Sequence, residues 1–290
     1  MTSFWLFVFG SAFGSFIKVI ADRYDPDKFI LKQSTLGGRS ACPKCGHKLE
    51  PVELVPLLSF IFLRGCCRKC GKKIGFSYPI VEIISGLIFV SVPYFLSHLP
   101  AIQLLSLSSL NYWLLAIGYI LVFLTLLLIS LIDIRLKIIP DEANIFLIII
   151  GVALAFLIPS GITIANHSFT GAYALLFGFQ NNVLVNHLIG FLFGIIFYGI
   201  LIFVTRGRGM GMGDLKLSAA LGAVFGWPDI IFITFFSFLV GSLASLPSLA
   251  LGKRGLKSLL PFGPFIALSA LTVFFFGEKI LKIYFDLFRG

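Results

Sequence analysis

The sequence predicts an all-α polytopic membrane protein with about eight transmembrane helices and a small cytoplasmic zinc-ribbon-like module between spans 1 and 2. Of its 290 residues, 58% are hydrophobic and only 12% are charged, whereas a soluble domain carries about 25% charged residues. The mean hydropathy is +1.01. Long apolar runs alternate with short polar loops, which is the pattern of helices that cross a membrane repeatedly.

Eight apolar runs are candidate spans. They are 4–20, 80–96, 113–132, 143–158, 183–205, 215–227, 230–251 and 262–276. The first run has no basic stretch before it, so we expect it to be a retained span rather than a cleaved signal. The sixth run is too short to cross a roughly 30 Å hydrocarbon core at about 1.5 Å per residue. We expect it to begin inside the membrane, to tilt, or to form half of a broken element.

The loop charges predict the orientation. Segment 21–79 holds eleven Lys and Arg against five Asp and Glu, and the loops 133–142, 206–214 and 252–261 each contain two or three Lys or Arg. The alternate loops, 97–112, 159–182 and 228–229, contain no Lys or Arg. The positive-inside rule therefore predicts a multi-pass protein of the cytoplasmic (inner) membrane with both termini outside. Although the net charge is +10, no continuous basic face follows the chain, so we do not expect nucleic-acid binding.

The polar segment 21–79 contains all five cysteines, and four of them form two CxxCG knuckles. This spacing predicts a tetrahedral Zn²⁺ site of four thiolates, Cys42, Cys45, Cys67 and Cys70. Cys67 rather than Cys66 is the expected ligand, because only Cys67 gives the CxxCG spacing. Four thiolates leave no open position for water, so the metal is expected to be structural. Two disulfides are the alternative, but they are rare in a cytoplasmic location.

Two aspartates are the candidate catalytic residues. Asp133 ends the third apolar run, and Asp214 follows the segment 207–213, which has Gly at every second position. The loop charges place both on the cytoplasmic side. Two neighbouring carboxylates share one proton, so one can accept a proton from water while the other donates. The glycines could bring backbone close to a peptide substrate, and their spacing is not that of a dinucleotide-binding loop.

Other roles are open for these acidic residues and their neighbours. Asp141 follows Pro140 and is a second catalytic candidate, although its position favours a helix cap. Helix capping is also the alternative for Asp214. Lys216 is expected to face the membrane interface or a carboxylate. Glu82, at the start of the second span, is either functional or a cap.

The chain resembles the type IV prepilin peptidases, bifunctional leader peptidase/N-methyltransferases of pilus, type II secretion and competence systems. The similarity covers almost the whole chain. It is carried by GSFIKVIADR from Gly14, CPKCG and CRKCG with Glu53, Val55-Pro56 and Leu63-Arg64-Gly65 between them, Tyr78-Pro79 and Glu82, Ile132-Asp133, Ile139-Pro140-Asp141, GMGMGDLKL from Gly209, and Pro261-Phe-Gly-Pro264. Cys66 and Pro51 depart from the family pattern.

The resemblance implies that Asp133 and Asp214 are the catalytic aspartates of an intramembrane GxGD-type peptidase. The substrates would be prepilin or pseudopilin helices embedded in membrane lipid, cut after a Gly on the cytoplasmic side to remove a short basic leader. The new N-terminus would then be methylated from S-adenosylmethionine. The expected organisation is a first span (1–20), a cytoplasmic zinc-binding domain (21–79) and a transmembrane aspartic peptidase domain (80–290).

Two other functions are compatible with parts of the sequence. A proton-coupled membrane transporter would also use intramembrane carboxylates, although it should place polar groups near the midplane and often shows internal repeats. A non-enzymatic pilus or secretion assembly factor could dock through the zinc module, but it would not need the two aspartates.

Overall fold

The computed structural model describes residues 2–27, 30, 38–42, 44–99, 109–158, 168–177, 182–250 and 260–287, with backbone alone at 109 and 247–250. Pro43 of the first knuckle, residue 251 of the seventh predicted span and most of the basic loop 252–261 lie outside the described residues. Among the described residues there is no strand, and only isolated bridges pair Ala41 with Lys48 and Cys66 with Lys73.

Ten α-helices are present in the described part of the chain. They are α1 (Thr2–Arg23), α2 (Leu58–Phe62), α3 (Ser77–His98), α4 (Ser109–Leu136), α5 (Asp141–Leu157), α6 (Ala174–Phe177), α7 (Val183–Thr205), α8 (Met212–Phe225), α9 (Asp229–Ala250) and α10 (Gly263–Leu287). Short 3₁₀ turns, Pro51–Leu54 and Gly171–Tyr173, precede α2 and α6.

The all-α polytopic class predicted from the sequence is confirmed, and each of the eight predicted spans coincides with a helix. Six of these helices, α1, α3, α4, α7, α9 and α10, are long and apolar enough to cross a membrane. The chain is therefore an integral membrane protein. The other two are shorter: α5 has 17 residues and α8 has 14, so α8 extends only about 21 Å along its axis.

The described chain divides into two compact units, Met1–Ser97 and His98–Gly290. This division groups the first span and the cysteine module with α3. The boundaries expected from topology, after residues 20 and 79, follow membrane crossings rather than packing and stay a prediction.

In the first unit, α1 and α3 pack through small residues. A Cβ added at Gly14 would lie 2.8 Å from the backbone oxygen of Val81, so the two helices approach at backbone distance. The buried Ser85 hydroxyl donates a hydrogen bond to the Gly10 carbonyl over 2.7 Å. At the end of α1, the Tyr78 hydroxyl donates to the Asp22 carboxylate over 2.8 Å. Close contact between small residues is a common way to join helices in lipid.

In the second unit, the short helix α8 is enclosed by protein. All of its residues from Leu217 to Phe225 are buried. A Cβ added at Gly190 of α7 would lie 2.6 Å from the Gly222 carbonyl oxygen, and one at Gly151 of α5 would lie 2.6 Å from the Ala223 carbonyl oxygen. Because both neighbours meet α8 at backbone distance, its peptide groups are shielded from lipid on these two sides.

The far end of α8 is covered by the segment 168–170. The Phe169 ring packs edge-on against Phe225, the last residue of α8, and also contacts Phe274 of α10. The fully buried carboxylate of Asp229 holds this segment, accepting hydrogen bonds from the Ser168 hydroxyl at 2.6 Å and the Phe169 N–H at 3.0 Å. The Phe169 ring is therefore held against the last residue of α8.

Candidate functional site

The structure places Asp133 in the last turn of α4, where it is only 4% exposed. Its Oδ2 accepts a 2.8 Å hydrogen bond from the backbone N–H of Gly263, the first residue of α10. A Cβ at position 263 would lie 2.9 Å from the same oxygen. Glycine is therefore needed for this approach, and the start of α10 fixes the position of the Asp133 carboxylate.

Asp214 lies in the first turn of α8, where it is half-buried. Its Oδ2 accepts a hydrogen bond from the Gly211 N–H at 3.2 Å. The capping interaction considered as an alternative is therefore present, with Gly211 at the N-cap position. A capping carboxylate retains a second oxygen, so the contact does not exclude a chemical role.

The charge of Asp133 reaches Asp214. Burial raises the pKa of Asp214 to about 6, the Gly211 N–H opposes this shift, and the negative charge of Asp133 adds to it. Asp214 itself lies outside the six long helices. Two carboxylates in this relationship resist losing both protons, which is the property that a general acid and base pair requires.

The residue before Asp214 packs against the segment that follows Asp133. A Cβ added at Gly213 would lie 3.2 Å from Cβ of Ile139. Lys216 of α8 donates hydrogen bonds to both oxygens of Asp141, at 2.7 and 2.8 Å. Pro140, not Asp141, occupies the N-cap position of α5. The capping role expected for Asp141 is therefore wrong, and the expectation that Lys216 would meet a carboxylate is confirmed.

In the first unit, the four cysteines of the two knuckles converge. The sulfur atoms of Cys42, Cys45, Cys67 and Cys70 all lie within 4.8 Å of one another. The Cys42–Cys70 and Cys45–Cys67 Sγ separations are both 4.0 Å, far beyond the roughly 2.05 Å of a disulfide. A tetrahedral ion with Zn–S bonds of about 2.3 Å would place sulfurs about 3.8 Å apart. The donor set therefore fits one metal ion, and Cys66 is not part of it.

The two knuckles share one backbone geometry. Gly46 and Gly71 have φ of 69° and 66°, and their N–H groups donate to the carbonyls of Cys42 and Cys67 at 2.9 Å. In the first knuckle, the N–H groups of Lys44 and Cys45 lower the pKa of Cys42. The N–H of His47 also lowers the pKa of Cys45, but burial and the neighbouring thiols raise it by more. Backbone donors aimed at sulfur favour the thiolate, which is the form that binds metal.

Glu82 makes a contact that its position in the sequence did not predict. Its buried carboxylate accepts a 2.8 Å hydrogen bond from the N–H of Leu57. Leu57 has a φ of 60°, which is uncommon for a residue with a side chain. Glu82 therefore anchors a turn of the cysteine module to α3, instead of capping its own helix.

Sequence reasoning did not identify Gly263 or Asp229 as important. Gly263 appeared only within the Pro261-Phe-Gly-Pro264 motif, whose spacing does not show that the Gly263 N–H donates to Asp133. Asp229 lies in the predicted two-residue loop 228–229. A carboxylate at the edge of an apolar run was the signal that could have identified it.

Two family models match the chain. Residues 8–96 match the Bacterial Peptidase A24 N-terminal domain, and residues 120–246 match the Type IV leader peptidase family. The first match includes the four clustered cysteines, and the second includes both aspartates.

Several curated relatives carry the description prepilin leader peptidase/N-methyltransferase. The relative from Bacillus subtilis (strain 168) is 28% identical over 98% of both chains. The Aeromonas hydrophila protein is 28% identical over 96% of this chain and 92% of its own. The Pseudomonas aeruginosa protein is 32% identical over 84% of this chain and 74% of its own. No solved structure matches the chain.

Proposed function

The chain belongs to the type IV leader peptidase family, and we propose that Asp133 and Asp214 are the aspartates with which it removes prepilin leaders. Membership makes it an enzyme, a prepilin leader peptidase with N-methyltransferase activity as the second function of its class. Two observations support the assignment of residues: Gly213, next to Asp214, packs against Ile139, six residues after Asp133, and the Asp133 charge contributes to the raised pKa of Asp214. The substrate would be a prepilin or pseudopilin helix whose basic leader lies in the cytoplasm.

In this mechanism the pair holds one proton between its two carboxylates. The ionised member takes a proton from water as the oxygen attacks the scissile carbonyl, and the protonated member donates to the carbonyl oxygen, giving a neutral gem-diol. The proton then passes to the leaving amine as the C–N bond breaks. The Gly263 and Gly211 N–H groups each hold one oxygen of a carboxylate, which leaves the second oxygen of each for the chemistry.

The loop between α7 and α8, residues 206–211, supports binding of an unwound substrate. Most of its residues are exposed, and Met212 and Gly213 at the start of α8 connect it to Asp214. A helical substrate must unwind before its carbonyl can be attacked, and an exposed backbone segment could pair with the unwound strand. The charges of the loops support a cytoplasmic position for this site and an outer position for both termini.

We assign the four clustered cysteines to a structural Zn²⁺ ion. A bound ion would hold together a segment with few buried apolar residues of its own.

For the second activity, S-adenosylmethionine would supply a methyl group to the amine that cleavage exposes.

A leader-cleavage assay tests the assignment. Purified protein in lipid is mixed with a model prepilin, and the product N-terminus is identified by mass spectrometry. Cleavage is expected after a Gly for the unchanged protein and for Asp141→Asn, and no cleavage for Asp133→Asn or Asp214→Asn. Cleavage by either of the latter two would contradict the assignment. A transporter or an assembly factor would release no leader in any variant.

Addition of S-adenosylmethionine to the same assay tests the second activity, and it should add the mass of one methyl group to the product.

A further inference from the structure

Three hydroxyl side chains meet inside the second unit, each from a different helix. Tyr198 of α7, Ser218 of α8 and Thr234 of α9 are 1%, 2% and 4% exposed. A Cβ added at Gly194, one turn before Tyr198 on α7, would lie 2.7 Å from the Ser218 carbonyl oxygen. The Tyr198 ring stacks on that of Phe238, one turn after Thr234 on α9, with centroids 6.1 Å apart. The side chains of Ser237, Thr234 and Ser218 all interact with the Tyr198 hydroxyl. Polar groups from three helices therefore converge on one buried position.

Two of these hydroxyls are not satisfied by the protein. Among the described residues, Ser218 Oγ and Thr234 Oγ1 have no hydrogen-bond partner of acceptable geometry. Ser237, in contrast, donates to the Thr234 carbonyl at 2.7 Å, and Thr125 of α4 donates to the Leu121 carbonyl at 2.8 Å. Buried hydroxyls without a partner are costly and uncommon in proteins, because burial removes their bonds to water.

The position lies next to Asp214. Ser218 follows Asp214 by four residues, so the two side chains occupy the same face of α8 one turn apart. The Tyr198 hydroxyl is close enough to Asp214 to be affected by its charge. The hydroxyl cluster is therefore adjacent to Asp214, one of the two candidate catalytic carboxylates.

We propose that Tyr198, Ser218 and Thr234 hold a buried water molecule, and that this site supplies water to Asp214. A buried water typically makes about three hydrogen bonds to groups that the protein leaves unsatisfied, and a hydroxyl can serve as donor or acceptor. The proposal that this site supplies water rests on the proposed peptidase function. Hydrolysis consumes one water per peptide bond, with its oxygen going to the new carboxyl group and a proton to the new amine, so an enclosed site needs a source of water.

Radiolytic footprinting in ¹⁸O-labelled water tests the water site without requiring catalysis. Hydroxyl radicals form where water is bound, so the Tyr198 ring should gain label several-fold faster than the Tyr119 ring. Tyr119 is the matched control, because it is also buried and packs against Phe169, Phe225 and Phe274. The double variant Ser218→Ala with Thr234→Val should reduce labelling of Tyr198 to the Tyr119 rate. Equal labelling of both tyrosines in the unchanged protein would overturn the proposal that water is bound beside Tyr198.

Kinetics test the supply role. The same double variant should lower kcat for leader cleavage several-fold and leave KM unchanged, because the two hydroxyls it removes are enclosed by protein. Thr125→Val, which removes a buried hydroxyl already bonded within its own helix, should change neither parameter. An unchanged kcat in the double variant would overturn the supply role. Asp214→Asn should keep the label on Tyr198, so loss of the proposed function and loss of the water site are distinguishable.

Discussion

Gly263 donates its backbone N–H to Oδ2 of Asp133 over 2.8 Å, across 130 residues of sequence. The donor begins α10 and the acceptor lies in the last turn of α4. A main-chain donor at the end of a helix cannot rotate away as a side chain can. One carboxylate of the candidate pair is therefore held by the packing of two long helices.

Gly263→Ala should impair catalysis while the protein remains folded. The added Cβ would lie 2.9 Å from Asp133 Oδ2, so the carboxylate must shift. A displacement of about 1 Å at a catalytic group can cost about 100-fold in rate, and we expect kcat for leader cleavage to fall by up to that amount. Gly199→Ala is the control, since its Cβ would meet only Leu215 Cδ1 at 3.8 Å. Equal activity of the two variants would show that the Gly263 contact has no role.

The ion pair between Asp141 and Lys216 should make only a small contribution. Both side chains are largely exposed, 61% and 45%, and such pairs stabilise by about 0–1 kcal/mol. Asp141→Asn should therefore lower kcat less than about fivefold, and the exchange Asp141→Lys with Lys216→Asp should recover part of the loss. If Asp141→Asn were as inactive as Asp214→Asn, Asp141 would replace Asp133 as the candidate partner.

The zinc content of variants should distinguish Cys67, a predicted ligand, from its neighbour Cys66. Cys67→Ser removes a sulfur from the cluster and should abolish stoichiometric zinc in the purified protein, with faster proteolysis between residues 38 and 74. Cys66→Ser should retain the zinc, because Cys66 lies outside the cluster. Zinc retained in Cys67→Ser but lost in Cys66→Ser would reverse the assignment of ligands.

Stability should depend on pH through Asp214. Burial and the Asp133 charge raise its pKa from the ordinary 3.8 to about 6. The folded protein then binds more protons at this site than the unfolded chain does, so the contribution to stability is complete below pH 3.8 and is lost as the pH rises through about 6. Tm should fall more between these pH values in the unchanged protein than in Asp214→Asn. Parallel Tm curves would contradict the raised pKa.

The sequence was sufficient for features that depend on local patterns. Hydropathy located every long helix, and the CxxCG spacing selected Cys67 over Cys66. It also showed that the sixth span would be short. Patterns did not show why a short α8 is stable, because that depends on the Gly190 contact with Gly222 and on the Phe169 ring at its end.

Long-range contacts also changed the roles of individual residues. The position of Asp141 after a proline favoured a local capping role, but Lys216, 75 residues away, binds it instead. Glu82 was expected to act in a site or to cap its helix, but it binds the N–H of Leu57, 25 residues earlier. Such partners cannot be identified from spacing, since packing of separate helices brings them together.

Cross-linking tests most directly whether residues 133 and 214 meet. Cysteines replace both aspartates in a Cys66→Ser background, and a protease site is inserted between residues 158 and 168. A short thiol-bridging reagent should keep the two fragments joined after proteolysis. The control pair, 133 with 278, should give separate fragments, since residue 278 follows Gly263 by 15 residues of α10, about 22 Å along the helix. Fragments that separate equally in both variants would show that the two carboxylates do not form a pair.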